Sequence, residues 1–169
     1  MNSQTQKTVV EGAAGAIEVA IDGPSGGLQS KGMAVIAHPH PLFGGTMDNK
    51  VVQTLARAFT QCGWTAVRFN FRGVGGTAGT HDEGRGELDD LLAVASAVAP
   101  EGPVCLAGFS FGAFVTTHAF ERMSASRTIE KLVLVGTSVS RSVAAQIDTA
   151  AHPKTLVVHG EQDDTVALS

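Results

Sequence analysis

A serine held between two glycines is the residue whose setting points most clearly to chemistry. Ser110 lies in the sequence GFSFG (residues 108–112), after the apolar run 103–107 and before the helix-like segment 113–119. This order predicts a strand, a sharp turn and a helix, and the glycines permit a turn that lifts the serine hydroxyl above the sheet edge. The helix N-terminus then offers N–H groups to a developing oxyanion. The pattern indicates a nucleophilic serine, and a purely structural turn is the alternative.

A serine hydroxyl is a weak nucleophile and needs a histidine base that a carboxylate orients. On strand–turn–helix scaffolds of this kind the acid follows the nucleophile along the chain, and the histidine follows the acid. Asp163 comes shortly after the last apolar run, 154–159, and we assign it as this acid. Asp164 or Glu161 in the same role, or a plain turn at this point, are the alternatives.

A second candidate element is the loop HPHPLFGG (residues 38–45), which follows an apolar strand-like run. The residue after the nucleophile, Phe111, supplies one main-chain oxyanion donor in this architecture, and a loop at this position supplies the other. We expect the second donor to be the N–H of His40 or Leu42. The rings of His38 and His40 are expected to bond nearby main-chain groups and hold the loop, and metal ligation is disfavoured because no carboxylate or cysteine partner has suitable spacing.

A glycine-rich loop runs from residue 72 to residue 86, but it lacks the Gly-Lys-Ser/Thr of a nucleotide-binding loop. We interpret it as a structural bend, with Arg72 and Asn70 bonding loop backbone. The acidic residues after it open a helix and are interpreted as partners of the helix dipole: Glu87, Asp89 and Asp90.

Alternation of apolar runs with helix-period segments predicts a single α/β domain over residues 1–169, with a mainly parallel, doubly wound sheet. Two short β-like runs before residue 22, separated by Gly12 to Gly15, predict an antiparallel N-terminal hairpin. Asp48 is expected to cap a helix that continues to about Cys62. Between residues 136 and 154 there is room for no more than a short helix, so no cap domain is expected.

The net charge of −4 disfavours non-specific binding to nucleic acid. The sequence holds no apolar run of about 18 residues and no apolar signal core at its start, so we expect no membrane association. Cys62 and Cys105 are expected to be free thiols in a cytoplasmic protein. No metal-binding motif is present, and we expect no cofactor.

Four stretches together resemble one group of proteins: AHPHPLFGGTMDNK (37–50), RFNFRGVG (68–75), AGFSFG (107–112) and VHGEQD (158–163). They are similar to those of small bacterial α/β-hydrolases, usually described as predicted esterases and distantly similar to dienelactone hydrolases. The resemblance covers nearly the whole chain. It implies Ser110 as nucleophile, Asp163 as triad acid, a histidine further along, and a cytoplasmic enzyme without a cofactor.

The histidines of this chain do not complete that pattern. None follows Asp163, and the six that are present are His38, His40, His81, His118, His152 and His159. We therefore expect the sequence to be C-terminally incomplete, without the last strand and helix of the fold, and nearly inactive as it stands. The expected activity of the intact protein is hydrolysis of small or exposed carboxylic esters; a thioesterase, a peptidase or a non-catalytic binding module are the alternatives.

Overall fold

The computed structural model describes residues 5–137, 144–148, 150 and 154–160. In these ranges the strands form one seven-stranded sheet in the order β1-β2-β4-β3-β5-β6-β7. The strands are β1 (Gln6–Gly12), β2 (Gly15–Asp22), β3 (Met33–Ala37), β4 (Thr65–Phe69), β5 (Val104–Phe109), β6 (Ile129–Val135) and β7 (Thr155–Val158). β1 pairs antiparallel with β2 and β2 antiparallel with β4, whereas all other pairs are parallel. The predicted α/β fold with an antiparallel N-terminal hairpin is confirmed.

Helices cover both faces of this sheet, as a doubly wound fold requires. They are α1 (Lys50–Gln61), α2 (Arg85–Val98) and α3 (Phe111–Ser124). Successive residues of a strand point to opposite faces, and the core accordingly divides into two apolar clusters. In β3, Val35 packs in the cluster that includes Leu91 of α2 and Val115 of α3. Its neighbour Ile36 packs in the other cluster, with Val52 of α1.

The start of α1 differs from the prediction. Asn49, not Asp48, is the N-cap, and its side-chain oxygen accepts a hydrogen bond from the N–H of Val51 at 2.9 Å. The Asp48 carboxylate instead accepts from Arg68 at 3.0 Å. Arg68 is buried in β4 and also pairs with Asp22 at 3.0 Å. A buried guanidinium needs carboxylate partners, which explains why Asp48 faces the strand rather than the helix end.

Both cysteines are free thiols, as predicted. Cys105 lies in β5, and burial raises the pKa of its thiol to about 12, although a main-chain hydrogen bond from Lys131 opposes the shift. Cys62 is exposed at the end of α1. Of the two thiols, Cys62 is therefore the one that solvent can reach.

No cap domain is evident within the described residues, and residues 144–148 have no regular secondary structure. None of the helices in the described ranges has the length and apolar character needed to cross a membrane.

Candidate active site

The predicted turn after β5 is present, and it places Ser110 between the strand and α3. Ser110 has φ 55° and ψ −117°, a conformation that L side chains rarely adopt. Its N–H donates to the carbonyl of Val135 at 2.9 Å, and its own carbonyl accepts from the N–H of Phe114 at 3.1 Å. The serine is partly exposed. A strained residue fixed from both sides, at the carboxyl end of a central parallel strand, is suited to presenting a hydroxyl to a ligand.

The glycines on either side of Ser110 are required by close packing. A Cβ on Gly108 would lie 2.4 Å from the carbonyl oxygen of Gly112. A Cβ on Gly112 would lie 2.4 Å from the carbonyl oxygen of His38, at the end of β3. Real Cβ atoms do not approach main-chain oxygens so closely, so the GFSFG pattern follows from the tightness of the turn and from the approach of α3 to β3.

His38 holds the loop that follows β3. Its Nδ1 donates to the carbonyl of Pro39 at 2.6 Å, and its Nε2 accepts from the N–H of Phe71 at 3.0 Å. The side chain is fully buried, and desolvation lowers the pKa of His38 to about 4, with the bond to Pro39 opposing the shift. The ring is therefore neutral near pH 7 and links this loop to the end of β4.

His40 organises the outer part of the same loop. Its Nδ1 accepts from the N–H of Leu42 at 3.2 Å, and its carbonyl accepts from the N–H groups of Phe43 and Gly45, both at 3.1 Å. The expectation that the rings of His38 and His40 bond nearby main chain is confirmed. The N–H of Leu42, one of the two predicted loop donors, is thereby engaged within the loop. The side chains of Leu42 and Phe43 point outward, with 69% and 78% of their surface exposed.

The structure brings two of the predicted oxyanion residues together. The rings of His40 and Phe111 lie with their centroids 4.8 Å apart. Phe111 is the first residue of α3, where main-chain N–H groups have no acceptor within the helix. The ring of His81 completes the group, 4.8 Å from His40 and 5.5 Å from Phe111. We call His40, His81 and Phe111 the ring cluster.

His81 is the residue at this site that sequence reasoning missed. Its Nδ1 bonds Glu87 Oε1 at 2.8 Å, and Glu87 is completely buried. The Glu87 carboxylate also accepts from the N–H groups of Asp82, at 3.0 Å, and Gly84, at 2.8 Å. A glutamate at the third position of a helix commonly caps the preceding backbone, so Glu87 was a recognisable cap, but nothing in the sequence paired it with His81.

Side-chain contacts fix the start of the glycine-rich loop. Arg72 does not bond loop backbone as expected, because its guanidinium pairs with Asp90 at 2.8 Å. Its main-chain N–H also donates to Asp90, at 2.9 Å. The side chain of Asn70 also bonds outside this loop: its oxygen accepts from the N–H of Met47 at 2.9 Å, and its amide donates to Glu18 at 2.8 Å. Asp90 is therefore the partner of an arginine in the loop, not only of a helix dipole.

The predicted acid, Asp163, lies outside the described residues. The segment before it ends at the carboxyl edge of the sheet, because β5, β6 and β7 run parallel. The N–H of Gly136 donates to the carbonyl of Val158 at 2.8 Å, which joins the ends of β6 and β7. The chain after β7 therefore departs from the edge that carries Ser110. His118 lies on α3 with its ring 5.0 Å from that of Phe114.

Among the described residues, no group of three or more His, Cys, Asp and Glu side chains is arranged to hold a metal ion. The site consists of a serine, main-chain N–H groups and imidazole and phenyl rings.

A doubly wound sheet with an antiparallel N-terminal hairpin, and a serine on a strand–turn–helix elbow, define the α/β-hydrolase class. Residues 30–158 match the family model described as serine aminopeptidase, S33, and the chain belongs to this family. It is similar to a lidless α/β serine hydrolase of Xanthomonas campestris at 35% identity, with a TM-score of 0.87, over 99% of this chain and 76% of that one. An α/β serine hydrolase homologue of Coxiella burnetii is 36% identical, with a TM-score of 0.81, over 96% of this chain and 77% of that one.

An uncharacterized protein of Rickettsia prowazekii is 35% identical over an alignment of 118 residues, with 62% of this chain and 50% of that protein covered. The match thus spans about half the length of this curated relative. The relatives establish the family and the fold, and they do not identify a substrate.

Proposed function

We propose that the protein is a serine hydrolase of carboxylic esters that works through an acyl-enzyme. The observation that carries the proposal is the conformation of Ser110, a non-glycine residue at φ 55° on a turn fixed by Val135 and Phe114. Strain of this kind persists where the surrounding structure enforces it, and it collects at active sites. The family match over residues 30–158 supports the same reaction class.

In the proposed mechanism Ser110 Oγ attacks the ester carbonyl, and a histidine base takes the hydroxyl proton. The histidine then passes this proton to the departing alcohol, which leaves an acyl group on Oγ. Water, deprotonated by the same base, then attacks the acyl carbonyl; the bond to Oγ breaks, the acid is released, and the histidine returns the proton to Ser110 Oγ. Asp163 is proposed to orient the histidine, because it follows β7 in the order nucleophile, acid, histidine.

The oxyanion is proposed to bind the main-chain N–H groups of Phe111 and His40. Phe111 begins α3, so its N–H adds to the positive end of the helix dipole. Leu42, the other predicted loop donor, gives its N–H to Nδ1 of His40 at 3.2 Å. The rings of His40 and Phe111 lie 4.8 Å apart, so the two proposed donor residues are neighbours.

The direct test, on a form of the protein that supplies a histidine after Asp163, is hydrolysis of p-nitrophenyl acetate together with labelling by a fluorophosphonate and mapping of the labelled peptide. We expect the label on Ser110, and both label and turnover to be lost in Ser110→Ala. Ser96→Ala is the matched control, because Ser96 is exposed on α2 and outside the site. Turnover that survives in Ser110→Ala, or a label elsewhere, would refute the proposal.

The resemblance places the base histidine after Asp163, and residues 164–169 contain none. We expect a chain of residues 1–169 to react with the phosphonate several orders of magnitude more slowly than a form that supplies this histidine. Rapid labelling of the 169-residue chain would show that another group acts as base.

Hydrolysis of amides or thioesters would use the same residues, and the family description names a serine aminopeptidase. Comparison of an acetyl ester, an acetyl thioester and an amino-acid p-nitroanilide separates these activities. We expect the ester to be turned over with the largest kcat/KM.

A further inference from the structure

We propose that His81, held by Glu87, is a positioning residue that fixes the two oxyanion donors beside Ser110. This inference rests on the proposed function, because it assigns His81 to the geometry of that reaction rather than to a separate activity. His81 is not placed in contact with the reacting atoms, and its effect would pass through the residues that it touches.

The contacts of His81 lead from a buried carboxylate to both proposed donors. On one side its Nδ1 bonds Glu87 at 2.8 Å, and on the other its ring packs against His40 at 4.8 Å and Phe111 at 5.5 Å. The rings of His40 and Phe111 also touch each other, at 4.8 Å. The ring cluster is therefore a closed triangle, in which Phe111 belongs to the apolar core and His81 is the member bonded to the buried Glu87 carboxylate.

Three hydrogen bonds hold the Glu87 carboxylate in place. Glu87 is fully buried and accepts hydrogen bonds from His81, Asp82 and Gly84, so its position is fixed by the first turn of α2 and the loop before it. The side chain of His81 is only 12% exposed. The carboxylate fixes both the proton on Nδ1 and the orientation of the imidazole, since an acceptor must face a donor.

Ring position matters here because each donor N–H belongs to a residue whose ring is in the cluster. A small displacement of His40 or Phe111 moves an N–H relative to the oxyanion, and oxyanion stabilisation depends steeply on that distance. The displacement would affect the transition state more than the bound substrate, because the charge develops only in the transition state. The proposal therefore predicts a loss in kcat with little change in KM.

The test takes as the parent a form of the protein that supplies the histidine after Asp163, and compares its ester hydrolysis with that of His81→Ala and His81→Phe, normalised to the sites that a fluorophosphonate labels. We expect His81→Ala to lower kcat roughly ten- to a hundredfold with KM within twofold of the parent. His81→Phe keeps the ring but loses the bond to Glu87, and we expect an intermediate loss. Binding of phenylboronic acid, whose tetrahedral serine adduct carries charge in the same position, should weaken by a similar factor.

Two further variants separate positioning from simple destabilisation. His118→Phe removes an imidazole from α3 that packs on Phe114 at 5.0 Å, and it should leave kcat and boronate affinity unchanged. Glu87→Gln should lower kcat in the parent but add little in the His81→Ala background, because the two residues act as one unit.

Values of kcat and boronate affinity in His81→Ala within twofold of the parent would overturn the inference, and so would a loss expressed mainly in KM. If the parent nevertheless hydrolyses ester and is labelled on Ser110, the proposed function stands and only the role of His81 is refuted. A parent protein that neither hydrolyses ester nor takes the label on Ser110 overturns both proposals together.

Discussion

The main-chain N–H of Ser110 donates a hydrogen bond to the carbonyl oxygen of Val135, 2.9 Å away on the neighbouring strand. This bond extends the ladder between β5 and β6, in which Phe109 pairs with Val135, by one residue into the elbow. The carbonyl of Ser110 is meanwhile engaged by the N–H of Phe114. The two bonds hold the residue at φ 55°, where an L side chain is strained and glycine is not.

The strain at Ser110 predicts that glycine at this position stabilises the protein, although it removes the nucleophilic hydroxyl. Ser110→Gly relieves the positive φ, which costs on the order of 1–3 kcal/mol, although glycine also gains entropy in the unfolded chain. We expect Ser110→Gly to be more stable than Ser110→Ala by about 1 kcal/mol in urea unfolding. Ser110→Ala is the control because it removes the hydroxyl but keeps the Cβ. A glycine variant no more stable than the alanine variant would show that the turn is unstrained.

The burial of His38 predicts that the free energy of unfolding depends on pH. Its pKa of about 4 in the folded protein lies below the usual histidine value of 6.5, because burial disfavours the charged ring. The unfolded chain therefore binds more protons between these values, and the free energy of unfolding falls as the pH drops from about 6.5 towards 4. The full contribution is about 3 kcal/mol, at roughly 1.4 kcal/mol for each pKa unit.

The measurement is urea unfolding at several pH values for the parent and for His38→Gln. The variant should be less stable at pH 7, since it disturbs the bonds to Pro39 and Phe71, but its stability should change less between pH 6.5 and 4. His118→Gln, at a partly exposed position, is the control and should follow the parent. Equal pH dependence in the parent and in His38→Gln would contradict the assignment.

The short connection between residues 136 and 154, which leaves no room for a cap domain, predicts a preference among acyl groups. Without a cap over the elbow, a long acyl chain would gain little burial there. We expect kcat/KM for p-nitrophenyl acetate and butyrate to exceed that for the decanoate. An equal or higher value for the long ester would mean that an apolar channel binds the acyl chain. The exposed Leu42 and Phe43 are the first residues to replace with serine in that case.

Much of the fold could be predicted from local patterns. The strand 33–37 and the turn between Gly12 and Gly15 follow from short-range periodicity and from glycine, and both are present. The elbow was predictable for the same reason, because strand, turn and helix are adjacent in sequence. The predicted cap of α1, Asp48, was wrong, because Asp48 pairs with Arg68 from a distant strand and Asn49 caps the helix instead.

The sequence by itself determined the class of fold, the position of Ser110 at the end of a strand, and the need for glycine at 108 and 112. Only the tertiary structure decided that the N–H of Leu42 is engaged by His40, that Arg72 pairs with Asp90, and that Glu87 directs His81 towards Phe111. The physical reason is that strands, turns and helices arise from neighbouring residues, whereas side-chain partners at the site come from separate loops that only the folded sheet brings within a few ångströms of each other.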